Sequence, residues 1–251
     1  MSILKTEAIV LKTQDFRETS KILSVYTKKY GRIQLIAKGV RAQKSKYGPV
    51  LDSLNYLSLV FYFKETRELQ LLSNAEMVQP FLGIRSDLRR FATASTLAEV
   101  VYRTQLVGEA NGRLFAVFLS ALQGIDRSPA YRNYLAAFLI RFLEISGFKP
   151  RLRRCSSCGR VPTGKIVYFD MSRGAFRCEL CAVSGQGYRF SVPALRILRA
   201  FRDAAWEELD KIQVPPPVSV EIERFLLYYL RYHFEGLAQI HAVDFLNKLT
   251  D

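Results

Sequence analysis

Cys155, Cys158, Cys178 and Cys181 are the only cysteines in this chain of 251 residues, and they form two matched pairs, Cys155-Ser156-Ser157-Cys158 and Cys178-Glu179-Leu180-Cys181. The pattern C-x2-C-x19-C-x2-C is zinc-ribbon spacing. Two intervening residues let both thiolates of a pair face one ion from a tight knuckle, and Gly159 helps close the first turn. Four cysteines fill a tetrahedral shell and leave no position for a water, so the expected ion is one structural Zn2+. The alternative is two disulfides or four buried thiols. The opening Met1-Ser-Ile-Leu-Lys-Thr-Glu lacks a secretory apolar run, which favours a reducing compartment and the metal.

No other constellation supports chemistry. Gly159-Arg160-Val161-Pro162-Thr163-Gly164-Lys165 has the spacing of a phosphate-binding loop, but Ile166 occupies the position that needs a magnesium-binding hydroxyl. The flanks are also wrong, since this segment leaves a cysteine knuckle and enters a strand-like run. The two histidines, His233 and His241, lie eight residues apart and do not form a ligand pair. Glu207-Glu208 reads as a solvated helix face. A non-enzymatic protein is therefore expected.

Around the cysteines, residues 165–169 read as a strand, 171–174 as a turn and 175–177 as a return strand, a hairpin that brings the knuckles together. The first eighty residues are also strand-like. The segments 7–12, 21–27, 32–38, 54–63 and 69–79 are rich in aliphatic, β-branched and aromatic residues, with Ile33, Leu35 and Ala37 sharing one face. Five such strands ending at Pro80 suggest an oligonucleotide-binding (OB) barrel. The period then becomes helical. Ile84, Leu88, Phe91, Ser95, Ala98, Tyr102 and Leu106 form one stripe with Asp87, Arg90 and Glu99 opposite, and further stripes follow over 114–122 and 131–145. Ser191 and Pro193 mark another helix start, Pro215-Pro216-Pro217 precedes a helix carrying Ile222, Phe225, Leu226, Tyr229 and Phe234, and 243–249 is a short amphipathic tail. The expected architecture is α+β and multidomain: an N-terminal OB-fold β-barrel over 1–80, an α-helical body over 81–149 and 191–251, and an inserted four-cysteine zinc ribbon over 150–190.

The net charge of +14 predicts an anionic partner. The excess is uneven. Residues 19–51 hold eight basic residues and no acidic one, and 141–190 hold ten basic and three acidic. No run of eighteen apolar residues predicts a membrane span, and no basic amphipathic helix stands out.

The chain resembles the RecO family of bacterial recombinational repair mediators. Thr6-Glu7-Ala8-Ile9-Val10-Leu11-Lys12 is similar to that family's opening strand, as is Arg17-Glu18-Thr19-Ser20-Lys21-Ile22-Leu23, leading to Tyr30-Gly31-Arg32 and Ala37-Lys38-Gly39-Val40-Arg41. Gly147-Phe148-Lys149-Pro150-Arg151-Leu152 follows, then Cys155, Cys158-Gly159, Phe169, Gly174, Cys178 and Cys181. Together these pieces cover most of 1–190, while the last helices match only in general character. Some family members lack the cysteines, so this chain resembles the metal-bearing branch.

The resemblance implies binding to single- and double-stranded DNA, annealing of complementary strands coated by single-strand-binding (SSB) protein, and a RecR partner with which RecA is loaded onto coated DNA. It also implies a cytoplasmic, nucleoid-associated location. On this reading Arg32, Lys38, Arg41, Lys44 and Lys46 contact DNA, with Lys28 and Lys29 beside them. No acid is adjacent in sequence to pair the loop cations. Tyr30 and Tyr47 either stack on bases or pack on the barrel. Arg132 and Arg141 are candidates for an acidic SSB tail. The competing function is an RNA-binding accessory factor, since OB barrels and zinc ribbons also serve RNA. A zinc enzyme or nuclease is disfavoured by the full cysteine shell and the lack of an acidic cluster.

Overall fold

The computed structural model describes the chain except Met1, Gln43, Lys44, Lys46, Gly48, 183–185 and 249–251, and the side chains of 246–248. The described residues divide into two compact units, one comprising residues up to Asp126 together with Gln239 onward, the other Arg127–Ala238.

In the first unit, β1 (Ser2–Phe16), β2 (Ser20–Thr27), β3 (Gly31–Ala37), β4 (Tyr56–Phe63) and β5 (Leu69–Gln79) close a barrel in the order β1-β2-β3-β5-β4. All ladders are antiparallel except β3 with β5, which is the OB arrangement. Closure depends on β1. Its first half pairs with β4 (Ser2↔Phe63 to Ile9↔Tyr56) and its second half with β2 (Ala8↔Thr27 to Phe16↔Ser20), with a register shift between Val10 and Lys12. A bulge there bends one strand so that it serves both neighbours. Sequence alone placed this strand at 7–12, because its polar ends look like loop.

Alternation places Ala8, Val10, Leu23, Val25, Ile33, Leu35, Leu57, Leu59 and Phe61 inside the barrel. Ile33, Leu35 and Ala37 share the inner face, as their period predicts.

The single helix expected from Ile84 onward is two: α1 (Leu82–Ser86) and α2 (Leu88–Thr104). Asp87 causes the break. Its extended backbone cannot continue α1, and its carboxylate accepts from Arg89 N at 2.8 Å and Arg90 N at 3.0 Å, capping α2. Next, α3 (Gly112–Arg127) lays Phe115 against Tyr26 and Tyr56 on the outside of the barrel.

The second unit is built around α4 (Tyr131–Ile145), which is buried over most of its circumference. Its Asn133 donates to Leu209 O at 2.9 Å and Ile212 O at 3.0 Å, so its buried amide is satisfied. A three-stranded sheet follows, β6 (Ile166–Asp170), β7 (Ala175–Cys178) and β8 (Tyr188–Ser191), in the order β7-β6-β8. The third strand has no counterpart in the sequence reading. Ser191 ends β8 and caps α5 (Val192–Asp203), accepting from Ala194 N at 3.2 Å. Then α6 (Pro216–His233) packs Phe225 and Tyr229 edge-on against Phe169, with ring centroids at 4.8 and 5.3 Å. The cysteine ribbon therefore shares its core with the helices of its unit. The closing helix, α7 (His241–Lys248), belongs to the first unit. Glu99, read from sequence as a solvated residue of α2, caps it by accepting from His241 N at 3.1 Å and Ala242 N at 2.9 Å.

One half-buried group ties stability to pH. His233 stacks on Phe148 at 4.2 Å and meets Tyr229 edge-on at 4.6 Å, and its Nε2 is buried without a partner among the described residues. Burial holds its pKa below the ordinary 6.5, against a smaller opposing effect of a hydrogen bond to the Met171 backbone. The unfolded chain takes up this proton first, so stability is full above the ordinary value and falls as pH drops below it. Thermal unfolding from pH 7.5 to 5.5 is expected to show a smaller decline in His233→Phe than in wild type. Equal declines would exclude His233 as the source.

Candidate metal centre and basic barrel surface

The hairpin β6–β7 brings the four cysteines together. Gly159, with φ of 72°, closes the first knuckle by donating to Cys155 O at 3.0 Å. Cys178 ends β7, and Cys181 N and Ala182 N return to its carbonyl at 2.9 and 3.0 Å. The four Sγ atoms lie within 4.8 Å of one another, and Cys158 Sγ is 3.8 Å from Cys178 Sγ. A tetrahedral ion bonded to sulfur at about 2.3 Å requires sulfurs about 3.8 Å apart, so the cluster fits one ion at its centre.

The electrostatics also call for a cation. Burial alone would raise the Cys155 thiol, but backbone hydrogen bonds at its sulfur bring it down to about 6. Ser157 N and Cys178 N donate to that sulfur at 3.4 and 3.3 Å. Cys181 is pushed up to about 12 by hydrogen bonds with Cys178 and Cys158. Four adjacent thiolates repel strongly unless a cation lies between them. The arrangement can hold a metal ion with no open coordination position, which suits folding rather than turnover. The segment resembling a phosphate loop runs from the knuckle into β6 and opens no helix.

The basic barrel surface differs from its sequence pattern. Cations without acidic sequence neighbours are paired by acids distant in the sequence. Arg41 Nη2 lies 3.3 Å from Asp15 Oδ2, and its Nη1 donates to Arg17 O at 3.2 Å. Lys28 Nζ lies 2.7 Å from Glu7 Oε2, and Lys21 Nζ lies 3.7 Å from Asp52 Oδ1. The expectation that the loop cations lack acidic partners is thus corrected for Arg41. Barrel closure brings β1, with its acids, alongside β2 and the loop after β3. Arg32 is half-buried, donating through Nε to Gln105 O at 2.9 Å with its guanidinium 5.2 Å from the Tyr102 ring. Lys38 is exposed and has no ion-pair partner among the described residues. Lys44 and Lys46 lie outside the described residues.

Both barrel tyrosines pack on the barrel. Tyr30 meets Phe61 edge-on at 5.7 Å, and Tyr47 donates to Asn74 Oδ1 at 2.9 Å. Of the arginines considered for an acidic tail, Arg132 lies 3.7 Å from Glu223. Arg141 stacks on Trp206 at 4.1 Å and donates to the Phe201 and Ala204 carbonyls, and burial lowers its pKa. It is a structural pin between α4 and the segment after α5. A tyrosine pair on α6 was missed. Tyr228 and Tyr232 are each 52% exposed, and their i, i+4 spacing was the available signal.

Comparison with known proteins matches residues 1–81 to the family model for the N-terminal part of recombination protein O, and residues 85–239 to that for its C-terminal part. The chain is 28% identical over 253 residues to the DNA repair protein RecO of Caldanaerobacter subterraneus subsp. tengcongensis, covering all of both chains. It is 30% identical over 252 residues to the DNA repair protein RecO of Streptomyces coelicolor, covering 97% of this chain and all of that one. It is 36% identical over 200 residues to the protein of the same name from Chlorobium luteolum, covering 76% of each. With an OB barrel, a helical and ribbon unit, and family matches across both, the chain belongs to the RecO family.

Proposed function

We propose that this chain is a DNA-repair mediator that anneals complementary single strands coated by SSB protein and, with RecR, helps load RecA. The observation that carries the reading is the family match across both the barrel and the ribbon-bearing unit. Annealing requires no bond chemistry. Two polyanions repel each other, and a basic protein that neutralises both lowers the cost of their encounter. A net charge of +14 suits that role, and so does the full cysteine shell, which gives a metal no substrate position. One zinc is proposed at Cys155, Cys158, Cys178 and Cys181, holding β7 and its neighbours in place. Action at the nucleoid, in the cytoplasm, follows from the same reading.

The proposed DNA path crosses the loop after β3. Lys38 is exposed there without an ion-pair partner among the described residues, with Lys44 and Lys46 farther along the chain. The exposed pair of Arg41 with Asp15 is worth at most about 1 kcal/mol, so a phosphate can displace the carboxylate. Arg32 joins the path at a smaller share, because its Nε is already engaged.

Salt titrations of matched single-stranded DNA and RNA test the reading. Wild type is expected to bind the DNA at least as tightly as the RNA. Lys38→Glu is expected to weaken DNA binding at every sequence and to reduce the magnitude of the salt slope by about 0.7 for each lost phosphate contact. A clear preference for RNA, or an unchanged slope, would contradict the proposed path.

A further inference from the structure

On the second unit, α6 carries two aromatic stripes. Phe225 and Tyr229 point inward and are buried against Phe169. Tyr228 and Tyr232 lie one turn apart on another face and are each 52% exposed. They line a cleft of about 590 Å³ together with Tyr188 and Arg177. Tyr188 comes from β8, with its ring centroid 5.4 Å from that of Tyr228. Arg177 comes from β7, and its Nε is buried with no hydrogen-bond partner among the described residues. The cleft thus leaves half-exposed rings facing water and, beneath them, a buried donor without a partner.

The surrounding charge selects the occupant. Arg224 and Arg231 are exposed on α6, at i−4 and i+3 from Tyr228, and neither has an ion-pair partner among the described residues. Asp170 also lines the cleft, and its carboxylate accepts from Ser172 Oγ at 2.7 Å and Arg173 N at 3.1 Å and lies 3.8 Å from Arg173 Nε. Glu221 accepts from Ser191 N and Oγ, both at 2.6 Å. With Asp170 matched by Arg173, the excess charge is that of Arg177 in the cleft and of Arg224 and Arg231 on the adjoining helix face, and rings beside such an excess fit a polyanion with exposed π-faces.

We propose that the cleft of Tyr188, Tyr228 and Tyr232 is a second DNA surface, one that takes unpaired bases of a single strand by stacking and its phosphates on Arg177, Arg224 and Arg231. A duplex hides its base faces, so the rings discriminate against it. One helical turn separates Tyr228 from Tyr232 by about 6 Å along the axis. Stacked bases in one strand repeat at about 3.4 Å, so the spacing suits an extended, unstacked strand. The choice of DNA rests on the proposed function above, while the cleft itself lies outside the barrel path.

The test measures binding of single-stranded and duplex DNA oligonucleotides by the full chain, comparing wild type, Tyr228→Leu/Tyr232→Leu and Tyr228→Phe/Tyr232→Phe. Stacking losses predict a fall of at least about tenfold in single-strand affinity for the leucine pair. Duplex affinity and the single-strand salt slope should hold, because no charge is removed, and the phenylalanine pair should restore wild-type binding. Single-strand binding by the leucine pair within twofold of wild type would overturn the proposal. So would parallel losses on single strand and duplex, or failure of phenylalanine to rescue. Binding of a polyglutamate peptide by wild type but not by the leucine pair, with single-strand binding equal in the two, would assign the cleft to acidic peptides instead. If wild type binds neither form of DNA, the proposed function fails together with this one. If wild type binds DNA and the leucine pair binds it equally, only the cleft fails.

Discussion

Cys155→Ser is expected to abolish tight metal binding and to unravel the ribbon-bearing unit while the barrel stays folded. Structural zinc contributes about 10–16 kcal/mol to the folding of small modules, as much as the whole stability of a typical domain. Cys155 is the buried member of the set, and its sulfur accepts the backbone bonds that fix both knuckles, from Ser157 N and Cys178 N. Without the ion, the register of β7 on β6 is lost, Val167↔Cys178 first. Phe169, Phe176 and Phe190 then lose their cover, and α6 loses the ring partners of Phe225 and Tyr229. The disturbance therefore reaches beyond 150–190, where a free-standing ribbon would have confined it. Metal analysis with hydrogen exchange should show about one zinc in wild type and less than half in the variant. It should also show raised exchange across β6–β8 and α6 and unchanged exchange in β1–β5. Wild type that carries no zinc, or that is indifferent to a strong chelator, would contradict the structural role of the site.

Gly31→Ala should destabilise the barrel by about 3–5 kcal/mol, a large effect for one methyl group. Gly31 has φ of 62°, and a Cβ there would lie 2.0 Å from Glu109 O and 2.3 Å from its carbonyl carbon. These are backbone atoms, held in turn by Gly108 N donating to Arg32 O at 2.9 Å, so they cannot swing aside. The β2–β3 turn is set as well by Thr27 Oγ1, which donates to Gly31 O and accepts from Tyr30 N, both at 2.9 Å. Gly39→Ala is the control. Its φ is 69° and its Cβ meets nothing within 4 Å, so only the left-handed conformation is penalised, by about 1–2 kcal/mol. Denaturant unfolding of both variants measures the difference, and equal losses would show that the Glu109 contact carries no cost.

What was legible in the sequence is what local pattern encodes. Cysteine spacing predicts a cluster because both knuckles are local. Alternation at Ile33, Leu35 and Ala37 predicts an inner face because strand geometry repeats every two residues. The cap at Ser191 is visible because a capping side chain acts three residues along its own chain. Features made by tertiary pairing were not legible. The polar ends of β1 become strand only when β4 and β2 supply partners on either side. β8 is four residues long and counts as a strand only against β6. Asp15 neutralises Arg41 across 26 positions of sequence, and Glu99 caps a helix 142 residues away. At Asp87 the signal was present, since an aspartate before Leu88-Arg89-Arg90 is a helix start. The continuing apolar stripe on both sides of it concealed the break.

The most direct measurement of the account is annealing of complementary, SSB-coated DNA strands by this protein in buffer free of nucleotides. Acceleration over SSB-coated strands alone is expected without ATP, and a smaller acceleration when Lys38 is changed to glutamate. No acceleration, or a strict requirement for ATP, would contradict the account.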